Sequence, residues 1–220
     1  MKKLIIFGNT DEAELAHYYF TTDSEYEVAG FTVESEFHKE SSLLGLPVVS
    51  FDKINETFRP DEYKIFVAIG YSKLNALRKR IYESCKSLGY TLPSYISSKA
   101  SIFNGELIGD NCFILEDNTI QPYVKIGNNV TLWSGNHIGH HTSIGNHTFV
   151  ASHAVISGRV KIGEQCFIGV NATLRDHIEV GDKCVIGAGA TILKNTDADG
   201  VYIGMQTERS KVPSSRLRGI

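Results

Sequence analysis

The stretch Ile138-Gly139-His140-His141-Thr142-Ser143-Ile144-Gly145-Asn146-His147-Thr148-Phe149-Val150-Ala151-Ser152-His153-Ala154-Val155-Ile156 sets the grammar of the second half of the chain. An aliphatic residue returns every six positions, and extending that step both ways gives seventeen sites from Ile96 to Ile192. All of them are Ile, Leu or Val. About a quarter of residues in an ordinary chain are aliphatic, so chance does not produce such a run. Four positions after each aliphatic the residue is mostly small, as at Ala100, Cys112, Thr142, Thr148, Ala154, Cys166, Ala172, Cys184 and Ala190. Glycine often follows the aliphatic directly, as at Gly109, Gly127, Gly163 and Gly187.

Neither a helical period of 3.6 nor a strand period of 2 yields a strict six. A triangular coil does, with three short strands per turn and eighteen residues per coil. The aliphatic and small residues then point into a narrow prism whose coils stack at about 4.8 Å, the spacing of paired strands. Seventeen units make between five and six coils. Cys112, Cys166 and Cys184, separated by 54 and 18 positions, fall in one interior column, as small core fillers.

The first 95 residues read differently. Leu4–Phe7, Val28–Val33 and Lys64–Ile69 carry strand signals, while Asp11–Phe20 and Leu74–Leu88 carry helical ones. This alternation predicts a small parallel sheet covered by helices, a Rossmann-like α/β unit. The turn after the first strand, Gly8-Asn9-Thr10-Asp11-Glu12, holds one glycine and lacks the dinucleotide fingerprint. A mononucleotide fits it better than NAD. The expected division is an α/β domain over 1–95 and a β-helix with a tail over 96–220.

The formal net charge of −3 without charged blocks argues against a nucleic-acid partner held by phosphate neutralisation. No apolar run is long enough to span a bilayer, and the apolar start Leu4–Phe7 stops at Gly8, far short of a signal peptide. The four cysteines form no CxxC pair, which fits a reduced, cytoplasmic chain.

Six of the eight histidines lie between His137 and His177. The repeat places His140 and His141 at an outward corner, and one coil of eighteen carries His140 to Gly158. An imidazole beside a glycine amide makes an acyl-transfer pair: the ring takes the proton of an attacking amine or hydroxyl, and the N–H stabilises the oxyanion.

At this point the chain resembles, along its full length, the bacterial nucleotide-sugar acyltransferases related to the bacillosamine and perosamine N-acetyltransferases and the sialic-acid O-acetyltransferase-like group. The matching stretches are Lys3–Gly8, Phe66–Gly70, His140-His141, Ser157–Gly163, Phe167–Thr173, Ile186–Ala190 and Gly200–Gly204. The resemblance implies a left-handed hand for the β-helix, acetyl-CoA as co-substrate without a metal, and a homotrimer with active sites between subunits. It also implies a nucleotide-linked deoxyamino sugar as acceptor, in glycan or lipopolysaccharide biosynthesis. By it His140 is the general base and Gly158 supplies the amide facing the thioester carbonyl. Val170 and Ala188 line the coenzyme A arm, and Lys194, with Arg209 or Lys211, meets its phosphates. Gly8, Asn9, Thr10, Glu34, Gly70 and Tyr71 contact the nucleotide sugar. The chain departs from relatives in four places: His141 replaces an acid after the base, Phe149 replaces a second histidine, Glu34 stands alone after the second strand, and the usual Gly-rich first turn is reduced to one glycine. His141 or His153 is expected to fill the supporting roles. The residues leave three alternatives open: O-acylation of a sugar hydroxyl, a γ-carbonic-anhydrase-like metal hydratase drawing on His137, His140, His141, His147 and His153, and a non-catalytic scaffold that uses the prism for assembly.

Overall fold

The computed structural model describes residues 2–103 and 105–216, except for the side chain of Glu106. In the first domain, β1 (Lys2–Phe7), α1 (Asp11–Thr22), β2 (Tyr26–Val33), β3 (Ser42–Leu43), β4 (Leu46–Ser50), α2 (Ile54–Thr57), β5 (Lys64–Val67) and α3 (Ala76–Ser87) follow one another. They build a five-stranded sheet of order β3-β4-β2-β1-β5. The strands are parallel apart from the β3–β4 hairpin, which the sequence pattern did not reveal. Leu4 and Ile6 point to one side of the sheet, packing with Ala13, Ala16 and Phe20 of α1; Ile5 and Phe7 point to the other, with Ile81 and Cys85 of α3. Leu74, expected within the last helix, instead lies in a left-handed turn before it, with φ of 51°, 52° and 61° at Lys73, Leu74 and Asn75.

From Tyr95 the chain winds into a three-sided prism of two-residue strands. Face I runs through Tyr95, Phe113, Thr131, Phe149, Phe167 and Val185. Face II runs through Ser101, Thr119, His137, Val155, Thr173 and Thr191, and face III through Lys125, Ser143, Lys161 and Glu179. Neighbours within a face are eighteen residues apart until the last coil, where Val185 pairs with Val201. The aliphatic column is buried from Ile114 to Ile192 and forms one core with the small residues.

The small positions do more than fill space. Thr148 Oγ1 donates to Gly163 O at 3.0 Å, and Sγ of Cys112 and Cys166 donates to Gly127 O and Gly181 O at 3.1 and 3.2 Å. Each such donor satisfies a partly buried carbonyl fifteen residues ahead. Cys112, Cys166 and Cys184 do share one column, and all are fully buried.

Every sixth residue from Asn111 to Gly189 is left-handed, because each prism edge turns through that conformation. Asn, Asp and His tolerate it better than other side-chain-bearing residues, and Gly tolerates it freely. His141, His147, His153 and His177 occupy this turn position, so four of the six clustered histidines have a conformational reason to be there.

The first domain rests on face I. Tyr71 packs its ring against Phe149 and Phe167 at 4.9 and 4.8 Å, and Phe66 packs against Phe113 at 5.4 Å. A polar relay closes the seam. The Val67 N–H donates to Asn111 Oδ1 (2.8 Å), Asn111 Nδ2 to Asn129 Oδ1 (2.8 Å), and Asn129 Nδ2 to His147 Nδ1 (2.9 Å). Among the described residues no helix is long and apolar enough to cross a membrane.

Candidate active site

Two sets of residues stand out, on different parts of the molecule. The first lies where face II turns into face III, the edge opposite face I. Pro122, His140, Gly158, Asp176 and Lys194 are spaced by eighteen there. The His140 ring lies against Gly158 so closely that a Cβ on the glycine would sit 2.8 Å from Cε1 and Nε2. Gly158 is not in the left-handed region, so glycine is required for space and not for conformation. Gln121 Oε1 accepts the His140 N–H at 2.9 Å, and His140 O accepts the Arg159 N–H at 2.8 Å. The backbone under the imidazole is thereby fixed on both sides.

His140 Nδ1 is 3.1 Å from His141 Nδ1, leaving the Nε2 side toward Gly158. One proton is shared across that contact. For Nε2 to accept, Nδ1 of His140 must carry it and Nδ1 of His141 must receive it. Desolvation, Arg159 and His140 together lower the His141 pKa, which favours the neutral acceptor this requires. The Tyr123 ring packs against His141 at 4.6 Å, tilted by 38°. Among the described residues the Gly158 N–H meets no acceptor, so it is available to a developing oxyanion.

Val170 and Ala188 belong to a different edge, where face I turns into face II. The two are one coil apart, with the Gly189 N–H donating to Val170 O at 2.8 Å and the Val170 and Ala188 amides lacking acceptors among the described residues. Within one chain they therefore do not join Gly158. Lys194 does share the His140 edge, three coils on. Arg159 and Arg175, which sequence reading passed over, lie on that edge between them. Arg209 and Lys211 sit in the exposed tail.

The other named histidines scatter. His137 is on a strand of face II, and His153 packs over Gly135 on the I/II edge, away from His140. His147 is buried in the domain seam, where desolvation drives its pKa down to about 4. Among the described residues no three His, Cys, Asp or Glu side chains group as metal ligands.

The second set forms a cleft of about 380 Å³ at the carboxyl ends of β1, β2 and β5. The sheet order reverses between β1 and β5, the place where open α/β sheets leave a crevice. Gly8, Asn9, Thr10, Glu34, Gly70 and Tyr71 all line it, as does Ser72 of the same turn, with Phe37 and Leu77 among those not anticipated. Gly8 has a φ of +138°, and a Cβ there would meet Ala68 O at 2.6 Å, so the turn from β1 to α1, pressed against the end of β5, admits only glycine. Glu34 is held by both Arg80 guanidinium nitrogens at 2.8 Å, which lowers its pKa. The acid expected to meet the nucleoside thus arrives already paired.

Residues 3–85 match the PglD N-terminal domain, residues 107–139 and 123–158 the bacterial transferase hexapeptide (six repeats), and residues 159–194 the hexapeptide repeat of succinyl-transferase. A comparison with curated protein sequences found no match. Among solved structures, PerB from Caulobacter crescentus in complex with CoA and GDP-perosamine superposes with a TM-score of 0.81 at 22% identity, covering 92% of this chain and 94% of that one. The acetyltransferase domain of PglB from Neisseria gonorrhoeae gives 0.76 at 23% identity, covering 93% and 97%. WeeI from Acinetobacter baumannii gives 0.68 at 18%, covering 91% and 96%. At these identities the likeness speaks for the fold, a left-handed β-helix behind a small α/β domain, while the family models cover both halves. The chain belongs to the hexapeptide-repeat bacterial acyltransferases that carry a PglD N-terminal domain.

Proposed function

We propose that the protein transfers the acetyl group of acetyl-CoA to the amine of a nucleotide-linked deoxyamino sugar, with His140 as general base. The observation that carries this reading is the His140–Gly158 contact, an oriented imidazole against a glycine with an open amide. The sugar amine attacks the thioester carbonyl and a C–N bond forms. His140 Nε2 takes the proton released from nitrogen, and the Gly158 N–H holds the oxyanion. Collapse breaks the C–S bond, and the proton on His140 passes to the departing thiolate. No acyl-enzyme and no metal enter the scheme.

Acetyl-CoA lies along the II/III edge with its thioester at Gly158. Arg159, Arg175 and Lys194 rise one, two and three coils above His140, about 5 to 14 Å along the edge, toward the CoA phosphates. The solved structures of PerB with CoA and of the PglB domain with acetyl coenzyme A support this choice of co-substrate. The nucleotide occupies the cleft at the strand ends, and the complex of PerB with GDP-perosamine supports a nucleotide-linked sugar as its ligand.

One chain does not bring these parts together, since the cleft rests on face I and His140 sits on the opposite edge. A homotrimer supplies what is missing: the cleft and the Val170–Ala188 edge of one subunit meet the His140 edge of its neighbour. The reaction is placed in the cytoplasm, feeding glycan or lipopolysaccharide assembly. A thiol-release assay with acetyl-CoA and UDP-, GDP- and dTDP-linked 3-amino and 4-amino sugars tests the reading. Turnover with one of them is expected; none with any would overturn it.

A further inference from the structure

The rim of the nucleotide cleft is fastened to the prism by an arrangement that stability alone does not explain. After Gly70, Tyr71 and Ser72 the backbone makes three consecutive left-handed residues, Lys73, Leu74 and Asn75. Each costs on the order of 1 kcal/mol in a non-glycine residue. Asn75 is fully buried; its Nδ2 donates to Cys166 O at 3.1 Å, and its Oδ1 accepts from Arg78 at 3.1 Å. Cys166 is a core residue of the prism, so the rim is bonded directly to a coil.

Arg78 is itself unusual. It is 2% exposed and has no carboxylate partner; burial lowers its pKa to about 10. Its guanidinium is spent on Thr131 Oγ1, His147 O at 3.2 Å and Thr148 O at 3.3 Å, above the Phe149 ring, while its Nε has no partner. Burying an unpaired charge is costly, and an apolar residue of like volume would often serve stability better.

The domain does not need this to stay attached. The Asn111–Val67 bonds, Tyr19 to Glu116, Tyr82 to Asp110 and Lys86 to Asp110 tie it down elsewhere. Asn75 and Arg78 tie the chain that follows the Gly70–Ser72 rim to the prism, beside the Gln165 Nε2 bond to Leu74 O at 3.4 Å and the Tyr71 ring laid over Phe149 and Phe167.

We propose that Asn75 and Arg78 are positioning residues that hold the Gly70–Ser72 rim in its binding geometry, so that nucleotide affinity depends on a clamp remote from the base at His140. This rests on the cleft being the nucleotide site, as proposed above. Loss of the clamp frees the rim, and the ligand then has to order it on binding.

The test uses the full-length protein, Asn75→Gly, which keeps the left-handed turn while removing both side-chain bonds, and Asn75→Asp, which keeps the bond to Arg78 only. Calorimetric titration with UDP, GDP, dTDP and acetyl-CoA reads the two sites separately. Expected is at least tenfold weaker binding of the preferred nucleotide to Asn75→Gly, a smaller loss in Asn75→Asp, and acetyl-CoA affinity within twofold of wild type. Unchanged nucleotide affinity in Asn75→Gly would overturn the clamp, as would equal losses for nucleotide and acetyl-CoA. If the wild type binds none of the three nucleotides, the cleft assignment and the clamp fall together. Nucleotide binding without acyl transfer would instead fault the proposed reaction and leave the clamp measurable.

Discussion

The His140 imidazole and the Cα of Gly158, one coil apart, are in contact with no room for a methyl group between them. The coil stacking that builds the prism thus also brings base and amide together. A Cβ at position 158 would sit 2.8 Å from two ring atoms, and the exposed ring is the part free to yield. Gly158→Ala should therefore displace the base by a fraction of an ångström to an ångström and lower kcat by about 100-fold. Because no left-handed conformation is involved, the Tm should stay within a few degrees. Steady-state kinetics beside a thermal melt check this; a fully active Gly158→Ala enzyme would contradict it.

In the proposed reaction His141, whose Nδ1 lies 3.1 Å from His140 Nδ1, accepts the His140 Nδ1 proton. His141→Gly keeps the left-handed turn and removes the acceptor, so kcat should fall about tenfold with the acetyl-CoA KM unchanged. His141→Asn offers an acceptor and suits the same turn, and should restore most of the rate. Equal rates for all three proteins would show that His141 only fills the turn.

His147 gives a pH signature of stability. Asn129 donates to its Nδ1, and burial holds its pKa near 4, whereas an unfolded histidine titrates near 6.5. The unfolded state binds the proton more readily between those values. The contribution is then complete above about pH 6.5 and is lost as pH falls toward 4. His147→Asn, also at home in the turn, should remove part of the Tm decrease seen between about pH 7 and about pH 5. Identical pH–Tm slopes in both proteins would contradict this.

The interior column of Cys112, Val130, Thr148, Cys166 and Cys184 makes a packing prediction. Thr148 already makes the bond to a carbonyl fifteen residues ahead that Cys166 makes. Cys166→Thr should cost less than about 1.5 kcal/mol, and Cys166→Leu, which overfills the prism, on the order of 3 kcal/mol. Thermal melts of both variants decide it.

The prism could be read from the chain because its period is local: one aliphatic per six residues writes the coil into the sequence, and eighteen residues carry His140 to Gly158. The histidine cluster was less informative than it looked. His147, His153 and His177 follow from the left-handed turn and lie on other edges or coils, a constraint that residue chemistry alone does not announce. Val170 and Ala188 fall on a different edge from Gly158 for the same reason, since position in a coil decides the edge. The cleft residues Gly8 to Thr10, Glu34, Gly70 and Tyr71 do line one cavity. The Arg80 pairing of Glu34 and the Asn75–Arg78 clamp were invisible, because each depends on contacts across tens of residues that no local pattern encodes.

In the proposed reaction His140 deprotonates the amine that attacks acetyl-CoA. CoA release by wild type and His140→Ala, against the panel of nucleotide-linked amino sugars, reads that proton transfer. Turnover by the wild type with one sugar is expected, with a loss of at least about 1,000-fold in His140→Ala and acetyl-CoA binding retained. Undiminished turnover in His140→Ala would contradict it.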